Sequence, residues 1–330
     1  MNQQSLHVRH LGGLEMIIAI DSTLRGPALG GCRWKSYPDA LAARDEARAL
    51  SVAMTRKAAL ARLSLGGGKA VVVGDPRQRT REELLAFADF VESLGGQYIT
   101  AADMGTGEQQ MTVIRERTRH VVGLPRELGG CGDPGPFTAK GVYMALVAAL
   151  RGTASGARVA VQGAGSVGNA LVRLLLESGA SVMVSDPDPA ALEVLPAEVR
   201  VIDPSAITST PCEVFAPCGP SGVLDRKLAE EIPCQVVCGA ANNPLTDSYA
   251  AVALHERGVL YVPDFLANAG GLIHLAVALE GGDDEATIEH LRVIPDNLKQ
   301  VLARVKSCGG NTLTAASELA ESLLAGGDRA

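Results

Sequence analysis

The sequence has no surplus of positive charge: 30 Lys and Arg face 37 Asp and Glu, a formal net charge of −7. A chain with that balance has little to neutralise rows of phosphates, so neither nucleic acid nor an anionic membrane is expected as a partner. It also lacks any apolar run of about 20 residues, so no transmembrane helix is expected. Residues 1–13 contain no basic stretch followed by an apolar segment and a small-residue cleavage site. That leaves no secretory leader to expect and makes the cytoplasm the expected compartment. The seven cysteines, Cys32, Cys131, Cys212, Cys218, Cys234, Cys238 and Cys308, are odd in number, and no pair has the two-residue gap of many structural zinc sites. Reduced, packed thiols are expected. His7 and His10 are three positions apart, but no acidic or cysteine ligands cluster around them, so no metal site is expected.

What is present is apolar bulk. Hydrophobic residues make up 47% of the chain against 20% charged, too apolar for disorder. A length of 330 residues points to about two domains with substantial cores and excludes a small disulfide-stapled module. Alternation over residues 14–20 reads as a half-buried strand, followed by a glycine-containing loop and a helix over 39–63. Gly66 to Gly68 read as a second glycine loop ahead of the β-branched run 70–73. Thr80 reads as the cap of a helix with Glu82 and Glu83 in its first turn, and a strand over 97–101 leads into Asp103. Residues 129–136 concentrate Gly, Pro and Asp without periodicity, the composition of a connection between domains. Beyond it, a helix over 137–151 precedes strand-like runs at 158–162, 181–185, 213–216, 235–238 and 259–262, with helical stretches between most of them. The alternation predicts an α/β fold with a parallel sheet covered on both faces. Residues 285–306 and 312–324 read as helices.

The clearest local motif is Gly163-Ala164-Gly165-Ser166-Val167-Gly168, placed after a predicted strand and opening a predicted helix. These are the two contexts a dinucleotide fingerprint requires. Gly163 permits the tight turn, Gly165 lets the backbone approach a pyrophosphate, and Gly168 lets helix pack on strand. Asp186, 18 residues beyond Gly168 and after the next predicted strand, is placed to accept hydrogen bonds from the adenosine ribose. Pro187, Asp188 and Pro189 follow, with no Arg to receive a 2′-phosphate, so NAD is expected rather than NADP.

Lys57 falls on the first long helix and Lys69 ends the glycine run 66–68. A lysine beside another cation and partly desolvated has its pKa lowered towards neutrality, where it can act as acid or base. Taken alone, each lysine has the ordinary reading of a solvated surface group, and Asp103 fits a turn as well as a proton carrier. Composition does not choose between these.

Seven motifs do, taken in order: Leu24 to Arg33 (LRGPALGGCR), Met54 to Lys57, Gly66 to Lys69, Ile99 to Asp103, Pro136 to Ala139, Gly239 to Asn243, and Pro263 to Gly271 (PDFLANAGG). Together, over about residues 10–325, the chain resembles the glutamate, leucine, phenylalanine and valine dehydrogenase family. That resemblance implies reversible oxidative deamination of an L-amino acid to the 2-oxo acid and ammonia, with hydride passing to a nicotinamide cofactor. It implies that Lys57 grips the substrate α-carboxylate, that Lys69 activates the water attacking the imine, and that Asp103 moves protons to and from the amino nitrogen. Thr138, Cys218, Ala240, Asn242 and Asn268 would line the cofactor, with Gly30 and Asn243 on the substrate side. It further implies a substrate and assembly domain over residues 1–134, with a helix over 306–330 packing back on it, and a doubly wound Rossmann domain over 135–305. A homo-oligomer, and a catalytic cleft between the domains, are expected on the same ground.

The resemblance also bears on the substrate. Family members acting on glutamate carry a lysine at the position of Leu29. Burying an unpaired carboxylate against leucine costs on the order of several kcal/mol. The matching pocket positions Ala101, Leu272 and Leu275 are also apolar, and leucine stands at 29 and 272 where aromatic-accepting members are smaller. Branched aliphatic amino acids, valine, leucine or isoleucine, are expected. Against this, His274 stands where leucine dehydrogenases have Asn, Val277 and Ala278 replace an acidic pair, and Ala102 replaces Glu. The stretches 209–212, 215–218 and 273–275 resemble those of actinobacterial phenylalanine dehydrogenases, which keeps an aromatic substrate open. His274 itself is expected to be a packed helix residue hydrogen-bonded within the second domain. A sensor that binds NAD or an amino acid without turnover is disfavoured, because a binder has no need of Lys69 and Asp103.

Overall fold

The architecture is that of a computed structural model, which describes residues 4–326. The chain divides into two compact α/β units. Among the described residues, one comprises those up to Pro134 together with His274–Asp284 and Glu321 to Gly326; the other comprises Gly135–Ile273 and Glu285–Ala320. The division departs from the sequence reading at both ends of the C-terminal region. Residues 274–284 belong to the first unit, and of the described residues from 306 onwards only Glu321 to Gly326 do so.

The first unit is built on a five-stranded sheet. Strands β1 (Ser5–Leu11) and β2 (Leu14–Ser22) form an antiparallel hairpin, and β3 (Ala28–Lys35) precedes helix α1 (Ala40–Leu60). Then come β4 (Gly66–Val73), α2 (Arg81–Glu92), β5 (Tyr98–Ala102) and α3 (Glu108–Arg115). The spatial order is β1-β2-β4-β3-β5, with β3 parallel to both its neighbours and β2 antiparallel to β4. Local chemistry fixes the helix starts. The Asp39 carboxylate accepts the Ala42 N–H at 2.8 Å, and Thr80 and Glu83 form a reciprocal capping box.

Two expectations fail here. The glycines at 30–31 and 66–68 are not loop residues but lie inside β3 and β4. They serve approach of chain to chain. A Cβ at Gly67 would sit 2.1 Å from the backbone nitrogen of Thr55 on α1, a contact no side chain can meet. The sequence reading also passed over β1, whose residues are half-buried or exposed.

The second unit opens with α4 (Gly135–Ala149) and continues β6 (Arg158–Gln162), α5 (Ser166–Glu177), β7 (Ser181–Ser185), α6 (Pro189–Glu193), β8 (Arg200–Val201) and β9 (Val214–Pro217). It goes on through α7 (Arg226–Glu231), β10 (Val236–Val237), α8 (Ser248–Glu256), β11 (Leu260–Tyr261) and α9 (Asp264–Ala267). The remaining helices are α10 (Gly270–Leu279), which the division above splits, α11 (Asp284–His290), α12 (Val293–Cys308) and α13 (Thr312–Leu324). Every pairing in the six-stranded sheet is parallel, in the order β11-β10-β9-β6-β7-β8. The chain starts in the middle at β6, goes one way to β7 and the other to β9, so the crevice of a doubly wound fold lies at the carboxyl ends of β6 and β9. No helix among the described residues is long and apolar enough to cross a membrane.

Gly67→Ala is expected to push α1 off the sheet at a cost of about 1–3 kcal/mol. Gly13→Ala, where an added Cβ meets nothing within 4 Å, is expected to be neutral. The thermal midpoints of the two variants, compared with the unaltered protein, check the difference.

Candidate active site

Strand alternation decides which side chains share a face in the first unit. Ala28, Cys32, Trp34, Ala70, Val72 and Tyr98 enter the core packed by α2 and α3. The alternate residues Leu29, Gly31 and Arg33 of β3, Gly67 and Lys69 of β4, and Ile99 and Ala101 of β5 therefore face the opposite side. On that side Ala43 and Ala47 of α1 pack against Val71. Strand β3 runs between β4 and β5, with Gly31 opposite Ala101 and Cys32 opposite Ala70. Lys69 and Asp103 thus start from strands on either side of Gly31. A Cβ at Gly31 would come 2.7 Å from the Asp103 Cβ, so only glycine leaves the space that the two side chains use.

Across that space the Lys69 ammonium reaches Asp103 Oδ2 at 2.5 Å, and Arg33 Nε donates to the same oxygen at 2.9 Å. Lys69 is buried, and its side chain is 8% exposed against 19% for Asp103. Burial alone would push the Asp103 carboxyl up, but Lys69 and Arg33 beside it outweigh burial and hold it well below the usual carboxylate range. It is an ionised acceptor throughout neutral pH. Its backbone is fixed too: the Asp103 N–H donates to Thr106 Oγ1 at 3.0 Å, and the Thr106 hydroxyl donates to the Cys32 carbonyl at 2.8 Å.

Arg33 was not singled out in the sequence, although it sits in the first motif. The signal was its place two and four residues beyond Gly31 and Leu29 on one strand face. It is anchored by Glu46 of α1, which also receives Lys35 at 2.7 Å. Burial pushes the Glu46 carboxyl up, and Lys35 and Arg33 beside it more than offset this and hold it down.

Other candidates of the first unit fall into place around this cluster. Lys57 is half-buried in the last turn of α1, two residues past the Thr55 contact with Gly67. Leu29 and Ala101 are buried, and Tyr98 donates its hydroxyl to the Gly30 carbonyl at 2.5 Å. Leu275 is buried, in the segment 274–284 that belongs to this unit. His274 is buried, but its partner is not in the second domain as expected. Its Nε2–H donates to the Cys131 carbonyl at 3.0 Å, and burial lowers its pKa so that it stays neutral.

In the second unit the strand ends gather a different set. After β6, Gly163 takes a left-handed φ of 101°, and an added Cβ would come within 3 Å of Cys218 and Gly219 at the end of β9. The Cys218 N–H closes the pair by donating to the Gln162 carbonyl at 2.7 Å. A Cβ at Gly168 would come 2.0 Å from the Gly163 carbonyl oxygen, which is why helix and strand pack so closely there. Gly165 and Ser166 are exposed, Ala164 is buried, and Val167 is half-buried. Asp186 reaches back over this loop: its carboxylate accepts the Ala164 N–H at 2.7 Å and the Asp188 N–H at 2.8 Å. On the β10 side, Asn268 Nδ2 donates to the Ala240 carbonyl and to Asn242 Oδ1, each at 3.0 Å. Gly270 is packed against Phe137 and Thr138 at the start of α4, where a Cβ would lie 2.0 Å from the Phe137 carbonyl oxygen. Leu272, on α10, is buried in this unit.

These residues fit a dinucleotide. Nothing lies within 4 Å of a Cβ added at Gly165, and α5 begins without a side-chain cap, the arrangement that receives an anion at a helix N-terminus. Asn268 Oδ1 is buried with no hydrogen-bond partner among the described residues, an acceptor suited to a carboxamide donor. Its two Nδ2 bonds fix which way the amide points. No group of three or more metal-ligating side chains occurs among the described residues. The described cysteines are all free; Cys32, Cys212 and Cys238 are buried, and burial pushes the Cys212 thiol up to about 11.

Arg33→Met removes one of the two cations on Asp103. The Asp103 carboxyl is expected to titrate at higher pH in the variant, read by carbon-13 NMR of labelled aspartate, with Arg33→Lys shifted less. A depressed carboxylate stabilises the fold above its unfolded value of about 3.9, and that stability is lost as pH falls through the folded value. The gap in thermal midpoint between wild type and Arg33→Met should therefore be full at neutral pH and close as pH falls below about 4.

Comparison with known proteins gives the arrangement a family. The family model described as "Glu/Leu/Phe/Val dehydrogenase, dimerisation domain" matches residues 4–120, and that described as "Glutamate/Leucine/Phenylalanine/Valine dehydrogenase" matches 188–319. Among curated relatives, leucine dehydrogenase of Bacillus subtilis is 39% identical over 94% of this chain and 87% of its own length. Phenylalanine dehydrogenase of Caldalkalibacillus thermarum is 38% identical over 94% of this chain and 88% of its own. The crystal structure of L-tryptophan dehydrogenase from Nostoc punctiforme superposes with a TM-score of 0.84 at 34% identity, covering 99% of this chain and 97% of that one. The chain accordingly belongs to the glutamate/leucine/phenylalanine/valine dehydrogenase family and is an amino acid dehydrogenase, an oxidoreductase acting on the CH–NH2 group.

Proposed function

We propose that the protein catalyses the NAD-dependent, reversible oxidative deamination of a branched-chain L-amino acid, valine, leucine or isoleucine, to the 2-oxo acid and ammonia. The observation that carries this reading is the Lys69–Asp103 contact of 2.5 Å on a glycine-cleared face whose other side chains at Leu29 and Ala101 are apolar. An acid–base pair lies on the same sheet face as Leu29 and Ala101, whose apolar side chains suit an aliphatic substrate.

In this reading Lys57 binds the α-carboxylate as a fixed cation. Asp103, held ionised, accepts a proton from the substrate ammonium, and the amine that results can push electrons towards Cα as the C–H bond breaks. The nicotinamide cofactor would supply the acceptor for that hydride. Lys69 orients the water that attacks the imine carbon and stabilises the charge that develops as ammonia leaves. Leu29, Gly30, Ala101 and Leu275 of the first unit, and Leu272 and Asn243 of the second, are assigned to the substrate side. Residues 163–168, Asp186, Thr138, Cys218, Ala240, Asn242 and Asn268 hold the cofactor. NAD is preferred to NADP because Pro187, Asp188 and Pro189 follow Asp186 and none carries positive charge. The protein would work as a homo-oligomer, in keeping with the family model named for dimerisation, and in the cytoplasm, with no partner beyond its small-molecule substrates. An aromatic substrate has support of its own in the phenylalanine dehydrogenase relative at 38% identity and in the tryptophan dehydrogenase that superposes over nearly the whole chain.

Reduction of NAD, followed by absorbance with valine, leucine, isoleucine, phenylalanine, tryptophan and glutamate, is expected to give the highest kcat/KM for an aliphatic substrate and no useful rate with glutamate. A faster rate with phenylalanine or tryptophan would overturn the substrate assignment but not the reaction. Lys69→Ala should lower kcat by about 10²–10⁴-fold, and unchanged turnover would remove Lys69 from the chemistry. Gly165→Ala should weaken binding of NAD with little change in thermal midpoint, since the space a methyl group would fill is otherwise open.

A further inference from the structure

Asn243 stands out in the second unit because its backbone takes a left-handed φ of 48° and the next residue is Pro244. A residue before proline is normally driven to extended conformations, and few non-glycine residues adopt positive φ without help. Here the help comes from below. The Asn243 N–H donates to Asp264 Oδ2 at 2.9 Å, and the Asn243 carbonyl accepts the Gly222 N–H at 2.8 Å. The Asn243 side chain itself is exposed.

Asp264 is 9% exposed and has no ion-pair partner among the described residues, so its carboxylate depends on hydrogen bonds. One comes from Asn243. The other comes from the buried Tyr261 hydroxyl, which donates to Oδ1 at 3.1 Å. Burial, with the Asp264 carboxylate beside it, pushes the Tyr261 hydroxyl up, so it remains a proton-bearing donor. Tyr261 is held at its carbonyl by the Thr312 hydroxyl of α13. The chain of contacts runs Thr312, Tyr261, Asp264, Asn243, and the sequence reading assigned no role to the middle two.

We propose that Asp264, supported by Tyr261, is a positioning residue that holds Asn243 in its left-handed conformation and so sets where the Asn243 side chain meets the amino acid. This rests on the placement of Asn243 at the substrate side in the preceding reading. Asn268 performs the separate task of tying Ala240 and Asn242 together, so the two supports divide the loop between them.

The tests use the full chain. In Asp264→Asn, the KM for the preferred amino acid is expected to rise about tenfold or more, with a smaller fall in kcat and with affinity for NAD alone, by calorimetry, changed less than twofold. The Asn243 amide should lose about tenfold or more of its protection from hydrogen exchange, a readout that does not depend on turnover. Tyr261→Phe, which removes one donor and keeps the ring, should show the same pattern more weakly and serves if Asp264→Asn does not fold. In an Asn243→Gly background, where the left-handed conformation needs no support, Asp264→Asn should have little further effect on KM. Additive effects in that cycle, unchanged amide protection, or a uniform loss of NAD and substrate affinity would overturn the proposal. Were the wild-type protein to turn over none of the amino acids, the substrate reading would fail, and the exchange measurement would still decide whether Asp264 holds Asn243.

Discussion

One carboxylate oxygen shared by two buried cations organises the first unit. Asp103 Oδ2 receives both Lys69 and Arg33, and all three side chains are largely out of water. Such a cluster is stable only while every member is present, because removing one partner strands the others, at a cost of about 3–5 kcal/mol for a buried pair. The surrounding structure is arranged to keep the members together. Strand order brings Lys69 and Asp103 to either side of β3, the bare backbone at Gly31 lets them meet, and Glu46 on α1 holds Arg33 from behind. The result is a carboxylate held in its ionised form beside a lysine that is itself buried.

The second unit solves a related problem with neutral donors. Loops at the carboxyl ends of parallel strands expose backbone that needs partners, and here buried polar side chains supply them. Asp186 takes amides from the glycine loop and from its own turn, Asp264 takes the Asn243 amide, and Asn268 braces Ala240 and Asn242. The bracing leaves a few groups open, the Asn268 oxygen and the exposed face of Gly165 among them, at the place where a doubly wound sheet receives its ligand.

The contrast between the units explains what could be read from the sequence. In the second, strands such as 158–162 and 181–185 carry three consecutive buried apolar residues and are separated by helices, and the glycine fingerprint lies in six consecutive residues. Those signals are local. Thr80 and its capping glutamate were legible for the same reason. In the first unit the glycines at 30–31 and 66–68 looked like loops because glycine weakens strands, and what requires them inside β3 and β4 is contact with Thr55 on α1 and with Asp103 after β5. Neither contact has a trace in the neighbouring sequence. Strand β8 is set by pairing alone, whereas β10 and β11 fall inside the runs 235–238 and 259–262, and the partner of His274, a carbonyl 143 positions away, could not be inferred from spacing. Arg33 escaped because residues 24–33 read as a glycine loop, and only with β3 in place does alternation put it on the face of Leu29 and Gly31.

That shared face also links position 29 to the charge of whatever binds there. Leu29 is 1% exposed and is paired in register with Gly67 and Ile99, on the side of the sheet that carries Lys69 and Arg33 and faces the helix bearing Lys57. Asp103 and Glu46 already balance part of that positive charge. A lysine at 29 would bury another ammonium among like charges, an arrangement tolerable only if a ligand brought a second carboxylate to meet it. With leucine there, no further ammonium has to be accommodated beside Lys69 and Arg33. In the proposed reading, discrimination among uncharged amino acids would fall to the volumes left on this face by Leu29 and Ala101, where one methylene is worth only about 1–3 kcal/mol.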